Sequence, residues 1–134
     1  MKSSNWKIQQ LPGLNAQTQT QLAAVGVYTT QQLLNQGSTA AKRQILSTRL
    51  QVHIQHVNKW IALADLSCVP SVGCQYCGLL LHAGVSSTVQ LAQMPLYRLH
   101  SQIRRLQVTT LRRADLCPDV GQVAEWIRQA KSLV

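Results

Sequence analysis

Cysteine is the residue of this sequence that could hold a metal or carry out redox chemistry. Cys74 and Cys77 form one CxxC pair, and Cys68 and Cys117 stand apart from it. A tetrahedral zinc site generally needs two such pairs, or one pair with histidines at matching spacing, because each pair presents two sulfurs from one turn. Since the second pair is missing, we predict cysteines packed in the core, with no metal and no cofactor. A metal-dependent regulator that uses all four cysteines is a minor alternative.

Groups for general acid and base catalysis are scarce. The chain has four carboxylate side chains, at Asp65, Asp115, Asp119 and Glu125. Its histidines form neither an HxxxH nor an HExxH arrangement, and the sequence contains no P-loop, nucleophile elbow or dinucleotide fingerprint. We therefore predict that the protein is not an enzyme.

Arginine is the residue with the clearest chemistry here, because it binds phosphate and carboxylate through charge-assisted hydrogen bonds. The chain has 13 Lys and Arg against 4 Asp and Glu, which gives a formal net charge of +9. Residues 98–113 contain five arginines and no acid. On a helix, Arg98 and Arg105 would share one face with Arg104 beside them. The opposite face would carry Leu96, Leu99 and Ile103.

These basic residues predict a protein that binds nucleic acid, specifically DNA, weakly and without sequence specificity. The side chains expected to contact it are Lys42, Arg43, Arg98, Arg104, Arg105, Arg112 and Arg113. The same positive surface could instead dock on an acidic protein partner, which would make the chain an interaction adaptor or an assembly factor. Charge alone does not separate the two hypotheses.

The elements that must position these side chains are repeated along the chain. At an offset of 58 residues, LPGLNAQTQTQLAAVGV aligns with VPSVGCQYCGLLLHAGV. Repetition on this scale predicts two similar units, over residues 1–66 and 67–134, packed into one compact domain. No stretch reaches the roughly eighteen apolar residues that a membrane span needs, and the first residues lack the apolar core of a signal peptide. We therefore expect a cytoplasmic protein without membrane insertion.

Each unit is predicted to consist of short helices, so the fold class is all-α. Residues 16–25 carry apolar side chains at helical spacing. Thr29 with Gln32, and Ser87 with Gln90, fit capping boxes that would start a second helix in each unit. The remaining predictions place Trp60 and Trp126 in the core, Asp119 at the start of the last helix, and a weak strand candidate at LQVTTL, residues 106–111.

The two turns carry a resemblance to a known family. LPGLN and VPSVG are each followed by a helical run and then by GVYTTQQLL or GVSSTVQLA, and WIALADL and VAEWIRQAKSL close the two halves. On these motifs, residues 8–133 resemble DUF4332, a domain of unknown function that is common in cyanobacteria. The resemblance implies tandem helix-hairpin-helix units. By analogy with other such hairpins, it also implies contact with a nucleic-acid backbone through Gly13, Asn15 and Gly73.

Both turns depart from the usual Pro-Gly-apolar-Gly pattern of such hairpins. Asn15 stands in place of the second glycine of the first hairpin, and Ser71 stands in place of the first glycine of the second hairpin. Because Asn tolerates the left-handed backbone conformation, we expect Asn15 to preserve its turn. Gln17 and Gln75 occupy the positions where a basic residue would grip phosphate. This substitution favours the adaptor hypothesis.

Overall fold

The chain forms eight α-helices in the computed structural model, which describes residues 3–110 and 117–134. The helices are α1 (Ala16–Ala24), α2 (Thr30–Gln36), α3 (Ala40–Leu50), α4 (Ile54–Ser67), α5 (Gly73–His82), α6 (Thr88–Gln93), α7 (Leu96–Arg105) and α8 (Val120–Leu133). A 3₁₀ turn over Ile8–Gln10 precedes α1. Within the described residues, β pairing is limited to one isolated bridge between Lys7 and Thr29. The prediction of an all-α fold is confirmed.

The strand candidate at residues 106–111 is wrong over its described part. Leu106–Thr110 forms a π-helical turn that continues α7. Leu106 is partly buried and Gln107 is buried, while Val108 and Thr109 are exposed, so successive side chains do not alternate between two faces. A half-buried strand needs that alternation. Because it is missing, this segment continues the helical conformation of α7, although it is rich in β-branched residues.

Polar side chains fix where most of the helices begin. The Thr29 hydroxyl accepts from Gln32 N–H at 3.2 Å, and the Gln32 side chain accepts from Thr29 N–H at 3.1 Å, which confirms the predicted capping box. The Ser87 hydroxyl accepts from Gln90 N–H at 3.1 Å. The Gln90 side chain, however, accepts from Ser86 N–H and not from Ser87 N–H, so the second box differs from the prediction by one residue.

Two long helices organise the packing. Helix α4 packs against α2, α3 and α5, and α8 packs against α6 and α7. Trp60 on α4 and Trp126 on α8 are buried, as predicted. Each large apolar side chain removed from water in this core contributes about 1.5–3 kcal/mol to folding. The division into two units at residue 66 stays a prediction. Helix α4 runs past that position to Ser67 and packs on α5.

Trp6 ties the N-terminal segment to both halves of the chain. Its backbone carbonyl accepts from Thr30 N–H at 2.8 Å, and its indole N–H donates to the Ser67 carbonyl at 2.7 Å. The indole ring also covers Gly73, where an added Cβ would lie 3.0 Å from Trp6 Cζ2. Among the described helices, none is long and apolar enough to cross a membrane.

Candidate nucleic-acid interface

An amphipathic α7 places the predicted arginines at the surface. Leu99 and Ile103 are fully buried on one side of the helix. Helical spacing then turns the other side outward, and Arg98, Arg104 and Arg105 are all exposed. We call these three residues the arginine face. Arg112 and Arg113 lie outside the described residues.

Tyr97 adds an aromatic ring to the arginine face. Its side chain is 75% exposed, the highest fraction among the large apolar side chains of the described residues. Ser101 and Arg104 follow it at spacings of four and seven residues, which puts the three on the same side of the helix. Sequence reasoning missed this tyrosine, although its position two residues before the buried Leu99 places it on the far side of α7.

Few negative charges oppose the arginine face. Within the described part of the chain, the one ion pair joins Glu125 and Arg128 on α8, with Arg128 Nε donating to Glu125 Oε2 at 2.9 Å. Hydrogen bonds from Arg128 and Gln129 lower the pKa of Glu125 to about 2. This carboxylate therefore stays ionised, and its partners are residues of its own helix, α8. No carboxylate of the described residues forms an ion pair with Arg98, Arg104 or Arg105.

The smaller basic cluster divides between two surfaces. Lys42 and Arg49 line an open depression of about 230 Å³ between α2 and α3, together with Ile45, which is 59% exposed. Arg43 is partly buried and lines a different cleft beside Asp65. Lys42 and Arg43 are adjacent in sequence, but the structure does not bring them together on one surface.

The first hairpin keeps an accessible turn. Gly13 is exposed and has a left-handed φ of 83°, a conformation that glycine adopts at little cost. The expectation that Asn15 would use the left-handed conformation is wrong, because its φ is −83°. Asn15 instead caps α1, and its Oδ1 accepts from Thr18 N–H at 2.8 Å. That bond uses one of the N–H groups that a phosphate would otherwise reach.

Lys59 supplies a cation to the first hairpin from a distant part of the chain. Its Nζ lies 4.0 Å from the position that a Cβ on Gly13 would take. The Lys59 side chain is exposed and projects from α4. A positive charge therefore lies beside the turn, although Gln17 occupies the position where the sequence pattern would place one. The sequence carries no signal for this contact, because local spacing does not relate α4 to the first turn.

The second hairpin is held by α8. Ser71 N–H donates to Gln129 Oε1 at 2.8 Å, and the Trp126 indole N–H donates to the Ser71 carbonyl at 3.2 Å. Gly73 has a left-handed φ of 52° and is buried under Trp6. This turn joins packed elements, which argues against the predicted phosphate contact at Gly73.

Two of the four cysteines lie in the core. Cys68 and Cys77 are buried, and burial raises the pKa of Cys68 to about 11 and that of Cys77 to about 12. Buried neutral thiols of this kind behave as small apolar side chains. Within residues 3–110 and 117–134, no group of three or more His, Cys, Asp or Glu could hold a metal ion.

Comparison with known proteins identifies a family and no individual relative. No curated protein and no solved structure matches this chain. The family model described as a domain of unknown function, DUF4332, matches residues 12–133, which is nearly the whole chain. The chain therefore belongs to the DUF4332 family.

Proposed function

We propose that this chain is a non-enzymatic, helix-hairpin-helix-type protein of the cytoplasm that binds nucleic acid weakly and without sequence specificity. The observation that carries the proposal is the arginine face of α7, with three exposed guanidinium groups and no ion-pair partner among the described residues. Arginine on an open convex helix contacts phosphates wherever they are presented. Such contacts hold a strand without reading its bases.

The first hairpin supports the same proposal. Gly13 presents an exposed, left-handed turn at the N-terminal side of α1, and Lys59 places an ammonium group beside it. A glycine turn before a helix favours an anion, because unpaired N–H groups and the positive end of the helix dipole point the same way. The hairpin would thus add a phosphate contact to those of the arginine face.

Charge reversal on α7 tests the proposal. We would titrate labelled oligonucleotides with the wild type and with the Arg104→Glu, Arg105→Glu double variant at several salt concentrations. A matched control, Lys7→Glu with Lys131→Glu, makes the same change in net charge at two other exposed positions. Both pairs of side chains are exposed, so neither variant removes core packing.

Binding through the arginine face and attraction by the net charge of the protein have different expected outcomes in this experiment. If the face binds phosphates, the α7 variant loses affinity for all sequences alike, and the slope of log affinity against log salt falls by about 1.4–1.8 for two lost contacts. The control variant should lose much less. An equal loss in both variants would mean that net charge attracts the polyanion, and the proposed face would then be wrong.

The depression between α2 and α3 favours a second candidate function, that of an adaptor for an acidic protein segment. Lys42 and Arg49 flank the exposed Ile45 there, so a leucine set between carboxylates would complement it. A labelled peptide with one leucine between glutamates should bind the wild type and not the Lys42→Glu, Arg49→Glu variant. Equal binding of a peptide with serine in place of leucine would contradict this candidate.

A further inference from the structure

Tyr97 is a large aromatic side chain that the fold leaves in solvent. It lies at the second residue of α7, directly before Arg98, and 75% of it is exposed. The buried residues of the helix, Leu99 and Ile103, lie on the other side. An exposed aromatic ring beside arginines is the combination that single-strand-binding proteins use, because every unpaired base offers a face to stack on.

We propose that Tyr97 stacks on an unpaired base, and that this chain therefore prefers single-stranded nucleic acid to duplex. This inference rests on the proposed function and names its substrate class. In a duplex the base faces are stacked on one another, and an exposed ring on a convex helix cannot reach them. In a single strand the ring can stack on a base while the neighbouring guanidinium groups contact phosphates.

The spacing along α7 suits this division of contacts. Tyr97, Ser101 and Arg104 share one side of the helix, and Tyr97 and Arg104 are separated by about 10 Å along its axis. Arg98 and Arg105 lie beside them and are also exposed. The face therefore has one ring at its N-terminal end and charges along its length, which fits one flexible strand running over the helix.

The second hairpin offers fewer free backbone groups to phosphate than the first. Here the Ser71 N–H and carbonyl are both bonded to α8, and Gly73 lies under Trp6. The exposed turn at Gly13 and the arginine face therefore remain as the phosphate contacts, and the ring of Tyr97 is what would distinguish a single strand from a duplex.

The test compares three labelled probes with four proteins. The probes are a short oligothymidylate, the same sugar-phosphate backbone carrying abasic sites, and a duplex. The proteins are the wild type, Tyr97→Ala, Tyr97→Phe and Tyr28→Ala. Tyr28 is the matched control, because it is 57% exposed and lies before α2 and not on α7. Thermal melting of each variant shows that the fold is kept.

Base stacking predicts a definite pattern of affinities. The wild type should bind the oligothymidylate about tenfold more tightly than the abasic strand, and more tightly than the duplex. Tyr97→Ala should lose that tenfold difference while its affinity for the abasic strand is unchanged. Tyr97→Phe should keep the difference, since stacking needs the ring and not the hydroxyl. Tyr28→Ala should behave as the wild type.

Two outcomes overturn the inference in distinguishable ways. Salt-dependent binding that is equal for the intact and abasic strands, and unaffected by Tyr97→Ala, would remove the stacking role and leave the proposed function standing. No salt-dependent binding to any probe would remove the proposed function and the inference together.

Discussion

Gln129 of α8 bonds Ser71 of the second hairpin twice. Its Oε1 accepts from Ser71 N–H at 2.8 Å, and its Nε2 donates to Ser71 Oγ at 2.7 Å. Trp126, one turn earlier on α8, donates its indole N–H to the Ser71 carbonyl. One turn residue thus directs its N–H, carbonyl and hydroxyl groups to the last helix. The second hairpin is therefore hydrogen-bonded to α8, which lies far from it in the sequence.

Replacing Gln129 should therefore weaken the fold. Gln129→Ala removes two hydrogen bonds to Ser71, each worth about 0.5–1.5 kcal/mol, and we expect the free energy of unfolding to fall by about 1–3 kcal/mol. Urea denaturation followed by tryptophan fluorescence measures this change. Gln75→Ala is the matched control, because Gln75 is exposed on α5 and should change stability by less than about 0.5 kcal/mol. Equal stability of the two variants would show that the Ser71 bonds contribute nothing.

Local signals in the sequence were sufficient to predict where three of the helices begin. Thr29, Ser87 and Asp119 each cap the helix that their spacing indicated, because a cap depends only on residues within one turn. The contact between Gln129 and Ser71 was beyond such reasoning. Both are polar residues typical of a surface, and their pairing depends on how α8 packs against the rest of the chain.

The two glycines of α5 should respond in opposite ways to alanine. Gly73 has a left-handed φ, and its Cβ would lie 3.0 Å from Trp6, so Gly73→Ala should lower the free energy of unfolding by about 1–2 kcal/mol or more. Gly78 is inside the helix, and its Cβ would lie 3.7 Å from Pro12 Cγ, an ordinary contact distance. Gly78→Ala should raise stability by about 0.5–1 kcal/mol. Chemical denaturation measures both changes, and a stable Gly73→Ala variant would contradict the packing of Trp6.

The buried thiols predict how stability depends on alkaline pH. Burial, followed by the influence of Cys74, raises the pKa of Cys77 to about 12 from an ordinary value of 9.0. Above pH 9 the unfolded chain therefore loses this proton while the folded chain keeps it. Stability is complete below pH 9 and falls as the pH rises towards 12. Cys68 contributes in the same direction, with its pKa raised to about 11.

Removing the Cys77 thiol should flatten this alkaline loss. We expect the free energy of unfolding of Cys77→Ala to fall less steeply between pH 9 and pH 12 than that of the wild type, although its stability at neutral pH is lower because a core atom is lost. Urea titrations across this pH range give both slopes. Identical slopes would mean that Cys77 does not keep its proton in the folded protein.

The arginine face was predictable and its surroundings were not. Helical periodicity alone placed Arg98, Arg104 and Arg105 opposite the apolar stripe of α7. The same periodicity places Tyr97 on this side of α7 as well. Lys59 is different, because its position beside Gly13 arises from the packing of α4 and no local pattern indicates it.

Lys59 should contribute one phosphate contact through the first hairpin. We expect Lys59→Gln to weaken binding to a labelled oligonucleotide for all sequences alike, and to lower the slope of log affinity against log salt by about 0.7–0.9, the change for one lost contact. Lys131→Gln is the matched control, since Lys131 is exposed near the end of α8 and loses the same charge. If the two variants change the slope equally, the first hairpin is only a connection between helices and the arginine face binds alone.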